Sequence, residues 1–109
     1  MNYEVLYSGS FKRKLKQLAK KHTSLKKDLD ELITALEKNP FQGTPIGQSC
    51  CKIRMPIASK GKGKSGGARV ITHVYITGTT VYLLAIFDKS EQETLSKHDL
   101  KELLKEIKD

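Results

Sequence analysis

The 109-residue sequence predicts one α+β domain, a mainly antiparallel sheet with an N-terminal helical hairpin and a C-terminal helix. Three observations lead there. Residues 10–38 repeat apolar side chains at helical spacing, residues 49–87 are rich in β-branched and aromatic side chains, and residues 96–107 return to the helical period. A chain of this length buries one small core, so residues 1–109 are read as a single domain.

Tyr3, Val5 and Tyr7 alternate with Glu4 and Leu6, as in a short opening strand ended by Ser8-Gly9. Ser10 is then placed to cap a helix whose inner face is Phe11, Leu15, Leu18 and Ala19. His22-Thr23-Ser24 breaks it, and a second helix buries Leu25, Leu29, Leu32, Ile33 and Leu36 before Asn39-Pro40 stops it. Strands follow at 49–56, 68–76 and 80–87, the last two joined through Thr77-Gly78-Thr79. Ser96 opens the final helix, with Leu100, Leu103, Leu104 and Ile107 inward. With all the helices on one sheet face, the opposite face is expected to stay open.

Charge is unevenly spread. No Asp or Glu occurs between Glu4 and Asp28, nor in the 50 residues between Glu37 and Asp88. Up to Phe87 there are fifteen cations against five acids, and from Asp88 onward five against seven, so a basic body precedes an acidic tail. The formal net charge of +8 favours a polyanionic partner.

Cys50 and Cys51 are adjacent, which disfavours a bridge between them and supplies no second pair for a tetrahedral metal site. They read as core thiols of a reducing compartment. The start MNYEVLYSGSFKRK lacks the apolar stretch of a signal peptide and no apolar run approaches a membrane span, so a cytoplasmic protein with no membrane partner is expected. Residues 61–66 match the glycine pattern of dinucleotide-binding loops but sit in no βαβ unit, and Ala58 stands where a P-loop needs its first glycine. Neither motif carries weight.

The period of two sends Cys51, Ile53 and Met55 to one side of their strand and Lys52 and Arg54 to the other. If Val70 and Val74 pack on the helices, Arg69, His73 and Tyr75 join Lys52 and Arg54 on the open face, with Arg69 an exposed phosphate ligand. Like charges on neighbouring strands repel, and a bound phosphate offsets that cost. Between those strands, SKGKGKSGGAR offers Lys60, Lys62 and Lys64 on a glycine-rich loop suited to following a phosphate backbone. Tyr75 and Tyr82 read as packing residues.

Phe11-Lys-Arg-Lys-Leu, Lys52-Ile-Arg-Met-Pro-Ile, Lys62-Gly-Lys-Ser-Gly-Gly-Ala-Arg-Val-Ile and Phe87-Asp-Lys-Ser-Glu, in this order of elements, resemble the RelE/ParE superfamily of bacterial toxins. The Gly-Lys-Ser-Gly-Gly-x-Arg-Val-Ile run looks most like HigB-type members. The resemblance implies a RelE-like fold and the toxin of a type II toxin–antitoxin pair, held inactive by an antitoxin of helix-turn-helix type. It implies a metal-independent endoribonuclease that cuts messenger RNA on the 70S ribosome and needs no cofactor. The RNA 2′-hydroxyl attacks the adjacent phosphate and leaves a cyclic phosphate. Lys52 and Arg54 match the paired basic strand positions of the family, Arg69 the arginine that begins the next strand, and Lys89 a cationic position near the end. These four are the catalytic candidates. Lys60, Lys62, Lys64 and His73 are the RNA-binding candidates. Where RelE has an arginine and a tyrosine after that position, this chain reads Ser90-Glu-Gln-Glu-Thr-Leu, so no leaving-group donor is assigned. Two alternatives stand beside this reading: a ParE-like inhibitor of DNA gyrase on the same fold, and a non-catalytic RNA-binding module.

Overall fold

A computed structural model describes residues 2–61, 66–75, 78–92 and 95–107. The opening alternation forms β1 (Glu4–Tyr7), followed by α1 (Gly9–Lys21) and α2 (Leu25–Lys38). Next come β2 (Thr44–Gly47), β3 (Cys50–Met55), a 3₁₀ turn at Ala58–Lys60, β4 (Ala68–Val74), β5 (Thr80–Asp88) and α3 (Lys97–Lys105). The sheet order is β1-β5-β4-β3-β2, with β1 parallel to β5 and every other pair antiparallel. Among the described residues no helix is long and apolar enough to cross a membrane.

The cap of α1 is Ser8, two residues before the serine expected from the pattern. Its backbone is extended, as an N-cap requires, and its Oγ accepts from the Phe11 N–H at 3.1 Å. The same hydroxyl donates to the Leu84 carbonyl at 3.0 Å, so the residue that starts the helix also ties it to β5. Ser10 is used otherwise: its N–H and hydroxyl donate to the Glu106 carboxylate, which fastens the end of α3 to the positive end of α1.

The sheet is covered on both faces, not one. On the first, Phe11, Leu18, Leu25, Leu29 and Leu36 of the hairpin meet Ile53, Met55, Val70, Leu83 and Ile86. On the second, Leu100, Leu103 and Leu104 of α3 meet Cys50, Ile71, Leu84 and Phe87. A bulge makes this possible. The β4–β5 register steps from Ile71↔Ala85 to Thr72↔Leu83, so Leu84 is the extra residue of β5. Leu83 and Ile86 then both face the hairpin, although they are three apart, and a strict period of two misassigns one of them. The amphipathic final helix needs an apolar patch, and Ile71, Leu84 and Phe87 supply it on the face expected to be open.

The strand β2 had no alternation to announce it in Thr44-Pro45-Ile46-Gly47. It pairs with β3 through a turn in which Gln48 and Ser49 have φ of 52° and 60°, a region costly for side chains other than glycine. Two bonds hold that turn: His73 Nδ1 contacts the Gln48 carbonyl at 3.0 Å, and the Val74 N–H donates to the Ser49 carbonyl at 3.0 Å. Cys50 and Cys51 are buried and unbridged, as expected of core thiols. Burial, with Cys51 alongside, pushes the Cys50 thiol up to about 11, so at neutral pH it carries no thiolate.

Asp88, at the end of β5, is 5% exposed and draws three elements together. Its carboxylate meets His22 Nε2 at 3.0 Å and Lys60 Nζ at 2.9 Å, and accepts from the Ser90 N–H and hydroxyl at 3.0 and 2.8 Å. Burial by itself would raise this carboxyl, yet the Lys60, Ser90 and His22 bonds outweigh it and hold it well below the usual carboxylate range. A group depressed in the folded state contributes stability above its unfolded value of about 3.9, and that contribution is lost as pH falls toward the folded value. Asp88→Asn should therefore lower stability at pH 7 by about 1–3 kcal/mol. The gap to the wild type should close below about pH 4. Urea unfolding across this range measures it, and a gap that stays constant down to acid pH contradicts the assignment.

Candidate active site

The basic residues of β3 and β4 share the face on which α3 packs. Pairing sets Arg54 opposite Arg69 and Arg69 opposite Phe87; the next row on that face is Lys52, Ile71 and Ala85. Residues directly opposite in an antiparallel pair have Cβ atoms about 4.5–5.5 Å apart, so two guanidinium side chains leave adjacent points of the sheet. Lys52 follows one pleat along. The alternation read from the sequence thus places these three side chains together.

Their environments differ in a way the pattern did not indicate. Arg54 is exposed and Lys52 half-buried, whereas Arg69 is only 4% exposed. Its Nη1 donates to the Ala68 carbonyl at 3.2 Å. The expectation of an exposed Arg69 is corrected for a physical reason: Arg69 lies between Arg54 of β3 and Phe87 of β5, whereas the pairing of β2 with β3 ends at Lys52 and gives Arg54 a strand partner on one side only.

Two concavities flank the row. One of about 420 Å³ runs beside β3 and is lined by Lys52 and Arg54 together with Gln42, Thr44 and Glu31. The other, about 90 Å³, places Lys52 against Ile71 and the start of α3 at Ser96 and Leu100. Lys52 therefore stands between a groove wide enough for nucleotide-sized groups and the helix that shields the second face.

Lys89 lies one residue beyond β5, where its N–H donates to the Gly67 carbonyl at 3.1 Å and prolongs the ladder past Asp88. By alternation it follows Phe87 on the Arg69 side. Gly67 fits there because a Cβ would come within 2.2 Å of the Met55 carbonyl, so the chain after the basic loop is pressed against the end of β3.

The remaining candidates separate. His73 pairs with Cys50 and Tyr82, four residues along β4 from Arg69, which is about 13 Å. Burial lowers its imidazole below the ordinary value, against the opposing pull of the Gln48 carbonyl, so it is neutral at pH 7. It serves the β2–β3 turn and is not brought to the arginine row. Lys60 was expected on a mobile arm; instead it closes the 3₁₀ turn and ends on the buried Asp88 carboxylate. Lys62 and Lys64 lie outside the described residues. Tyr75 follows the end of β4 and at 43% exposed is not the packing residue expected, while Tyr82 packs beside the α3 cluster. The Asp88–His22 contact spans 66 residues and has no signal in spacing or periodicity.

These burials separate two substitutions. Arg54→Ala should leave the melting temperature within about 2 °C of wild type, while Arg69→Ala, which removes packed side-chain volume as well as charge, should lower it by about 5 °C or more. Thermal unfolding followed by circular dichroism decides it. Equal melting of the two variants contradicts a packed Arg69.

Among solved structures, the chain is similar to a double arginine-to-alanine mutant of the E. coli toxin RelE in its free state. The identity is 14%, with a TM-score of 0.65, over 99% of this chain and 100% of that one. It is similar to the RelBE2 toxin–antitoxin complex of Mycobacterium tuberculosis, with 18% identity, a TM-score of 0.61 and coverage of 81% and 99%. Isolated E. coli RelE matches at 15% identity and a TM-score of 0.61, over 97% and 99% of the two chains. At these identities the likeness concerns the fold. The family model for the RelE toxin of the RelE/RelB toxin–antitoxin system matches residues 10–109, nearly the whole chain, and the protein belongs to that toxin family within the RelE/ParE superfamily.

Proposed function

We propose that this chain is the toxin of a type II pair and an endoribonuclease that cuts messenger RNA on the translating ribosome without a metal ion. The observation that carries the proposal is Arg54 directly opposite Arg69, with Lys52 on the same face one pleat away. Two like charges opposed across strands destabilise the sheet, and a phosphate between them reverses the sign of that interaction.

The chemistry follows from the residue types. Attack of a 2′-hydroxyl on the adjacent phosphate needs a group to take the hydroxyl proton, cations on the developing phosphorane, and a geometry that brings nucleophile and phosphorus into line. Arg69, packed and permanently charged, fixes one phosphate oxygen. Arg54 closes on the phosphate from the more open side, and a guanidinium fork suits two oxygens at once. Lys52, beside them at the groove, takes the hydroxyl proton on its free amine as the 2′-oxygen bonds to phosphorus; the bond from phosphorus to the 5′-oxygen breaks, that oxygen leaves with a proton from solvent, and Lys89 adds charge at the far end of the row. Alignment of the 2′-hydroxyl is then left to the ribosome holding the message. The antitoxin is the natural partner of a family named for a toxin–antitoxin system, and a ribosome-directed toxin acts in the cytoplasm.

The test is the chemistry of the ends. Purified protein added to 70S ribosomes halted on a message should cut within the decoding site and leave an upstream fragment with a 2′,3′-cyclic or 3′-phosphate, while free RNA is cut slowly. Arg54→Ala should slow single-turnover cleavage by about 100-fold or more. A 3′-hydroxyl end excludes the mechanism. Intact message with inhibited gyrase supercoiling moves the chain to the ParE-like reading, and tight ribosome binding without any cut moves it to a non-catalytic RNA-binding module.

A further inference from the structure

The mechanism leaves a second basic surface unused. On α1, Lys12, Lys16 and Lys20 recur at four-residue intervals and all are exposed. Among the described residues no carboxylate forms an ion pair with any of them, or with Lys26 at the start of α2. The neighbouring stripe differs: Lys14 and Lys21 both reach Glu91 at 3.6 Å. One acid thus serves two lysines of α1 and leaves the other stripe uncompensated.

Lys16, Lys20 and Lys26 converge with Thr23 on a concavity of about 340 Å³ at the turn between the two helices. Folding does not favour this arrangement. Like charges four apart on a helix destabilise it. The negative end of α1 accounts for Lys20 and Lys21 in its last turn, but Lys26 sits at the positive end of α2, where a cation is unfavourable. A polyanion would offset both costs.

The position of the turn indicates which polyanion. Ser24 and Ser59 join it to the 3₁₀ turn: Ser59 N–H donates to Ser24 Oγ at 2.8 Å, and the two hydroxyls are 3.0 Å apart. His22 and Lys60 share the Asp88 carboxylate. The basic concavity is therefore fastened to the 3₁₀ turn in the segment that leads from Arg54 to Arg69. The exposed large apolar side chains, Leu6, Phe41 and Tyr75, lie on other elements, so the patch lacks the apolar insertion that a membrane surface favours. With lysines as point charges, and with its one aromatic ring, His22, held by the Asp88 carboxylate, it matches a phosphate backbone and no base sequence.

We infer that the α1–α2 turn, through Lys16, Lys20 and Lys26, is a second RNA-binding surface that grips the phosphate backbone of folded RNA beside the site where the message is cut. This rests on the reading of the chain as an RNA-directed toxin. The surface sets affinity and salt dependence, and the arginine row sets the chemistry.

The test compares three full-length proteins: the wild type, the combination Lys16→Gln, Lys20→Gln and Lys26→Gln, and an equal-charge control, Lys38→Gln, Lys101→Gln and Lys105→Gln. Binding to 70S ribosomes and to an RNA duplex is measured over a range of salt, with circular dichroism to confirm folding. The turn variant should bind both at least about tenfold more weakly, with the slope of log K against log salt reduced by about 2 to 3. The control should change far less. Replacing the same three lysines by arginine should restore binding. A turn variant that binds like the control, with the same slope, overturns the inference. Binding lost only for phosphatidylglycerol vesicles, and kept for ribosomes and duplex, overturns it in favour of a membrane surface. The nuclease reading is tested separately. A wild type that binds RNA through this turn but leaves the message intact removes that reading and keeps this surface, whereas a wild type that cuts while the turn variant binds ribosomes unchanged does the reverse.

Discussion

The arrangement of this domain depends on a carboxylate that ends a long acid-free stretch. From Lys38 to Phe87 the chain carries only basic charge, and Asp88 is the first acid to follow. It is buried, and its partners come from α1, from the 3₁₀ turn and from the turn that follows β5. A carboxylate removed from water is costly unless its lone pairs are occupied, and four donors occupy those of Asp88. The result fixes three things at one point: where α1 ends, where the basic loop begins, and where β5 stops. Without it, the strand end that carries Lys89 would keep its bond to Gly67 and the 3₁₀ turn its bonds to Ser24, but nothing would tie the two to the end of α1 through one charge.

Around that point the cations divide by burial, and burial assigns their tasks. Arg69 keeps its guanidinium in the protein, on an inner strand and against the Ala68 carbonyl, so its direction is set before any ligand arrives. Preorganised charge of this kind stabilises a transition state without reorganisation at the moment of reaction. Lys16, Lys20 and Lys26 are the opposite case, long side chains exposed to water and free to take many directions. Lys60 belongs to neither group because Asp88 already holds it. Net charge alone would have counted all of them alike.

Much of the fold could be read from periodicity. The two hairpin helices, their inner faces and the Ser96 cap followed from apolar spacing and cap chemistry, since local sequence determines them. The grouping of Lys52, Arg54 and Arg69 followed from the period of two together with the pairing of β3 and β4. What escaped was long-range. The choice of Ser8 over Ser10 as cap depends on a bond to Leu84, 76 residues away. The bulge at Leu84 inverts the alternation and creates the patch for α3, so the face expected to be open is half covered. Strand β2 pairs through a turn held by His73 and Val74, and none of its four residues alternates. The burial of Arg69 follows from its having pairing partners on both β3 and β5, which no single strand specifies.

The bulge also bears on how the site works. By sending Leu84 and Phe87 to the α3 side, it draws an amphipathic helix onto the sheet beside Lys52, and the Glu106–Ser10 bonds fasten the other end of that helix to α1. One side of the arginine row is thereby given an apolar wall, and the other opens into the groove beside β3. Lys52 and Arg54 both line that groove, and Lys52 also meets the start of α3. The apolar wall on one side of the basic row is then a consequence of one extra residue in β5.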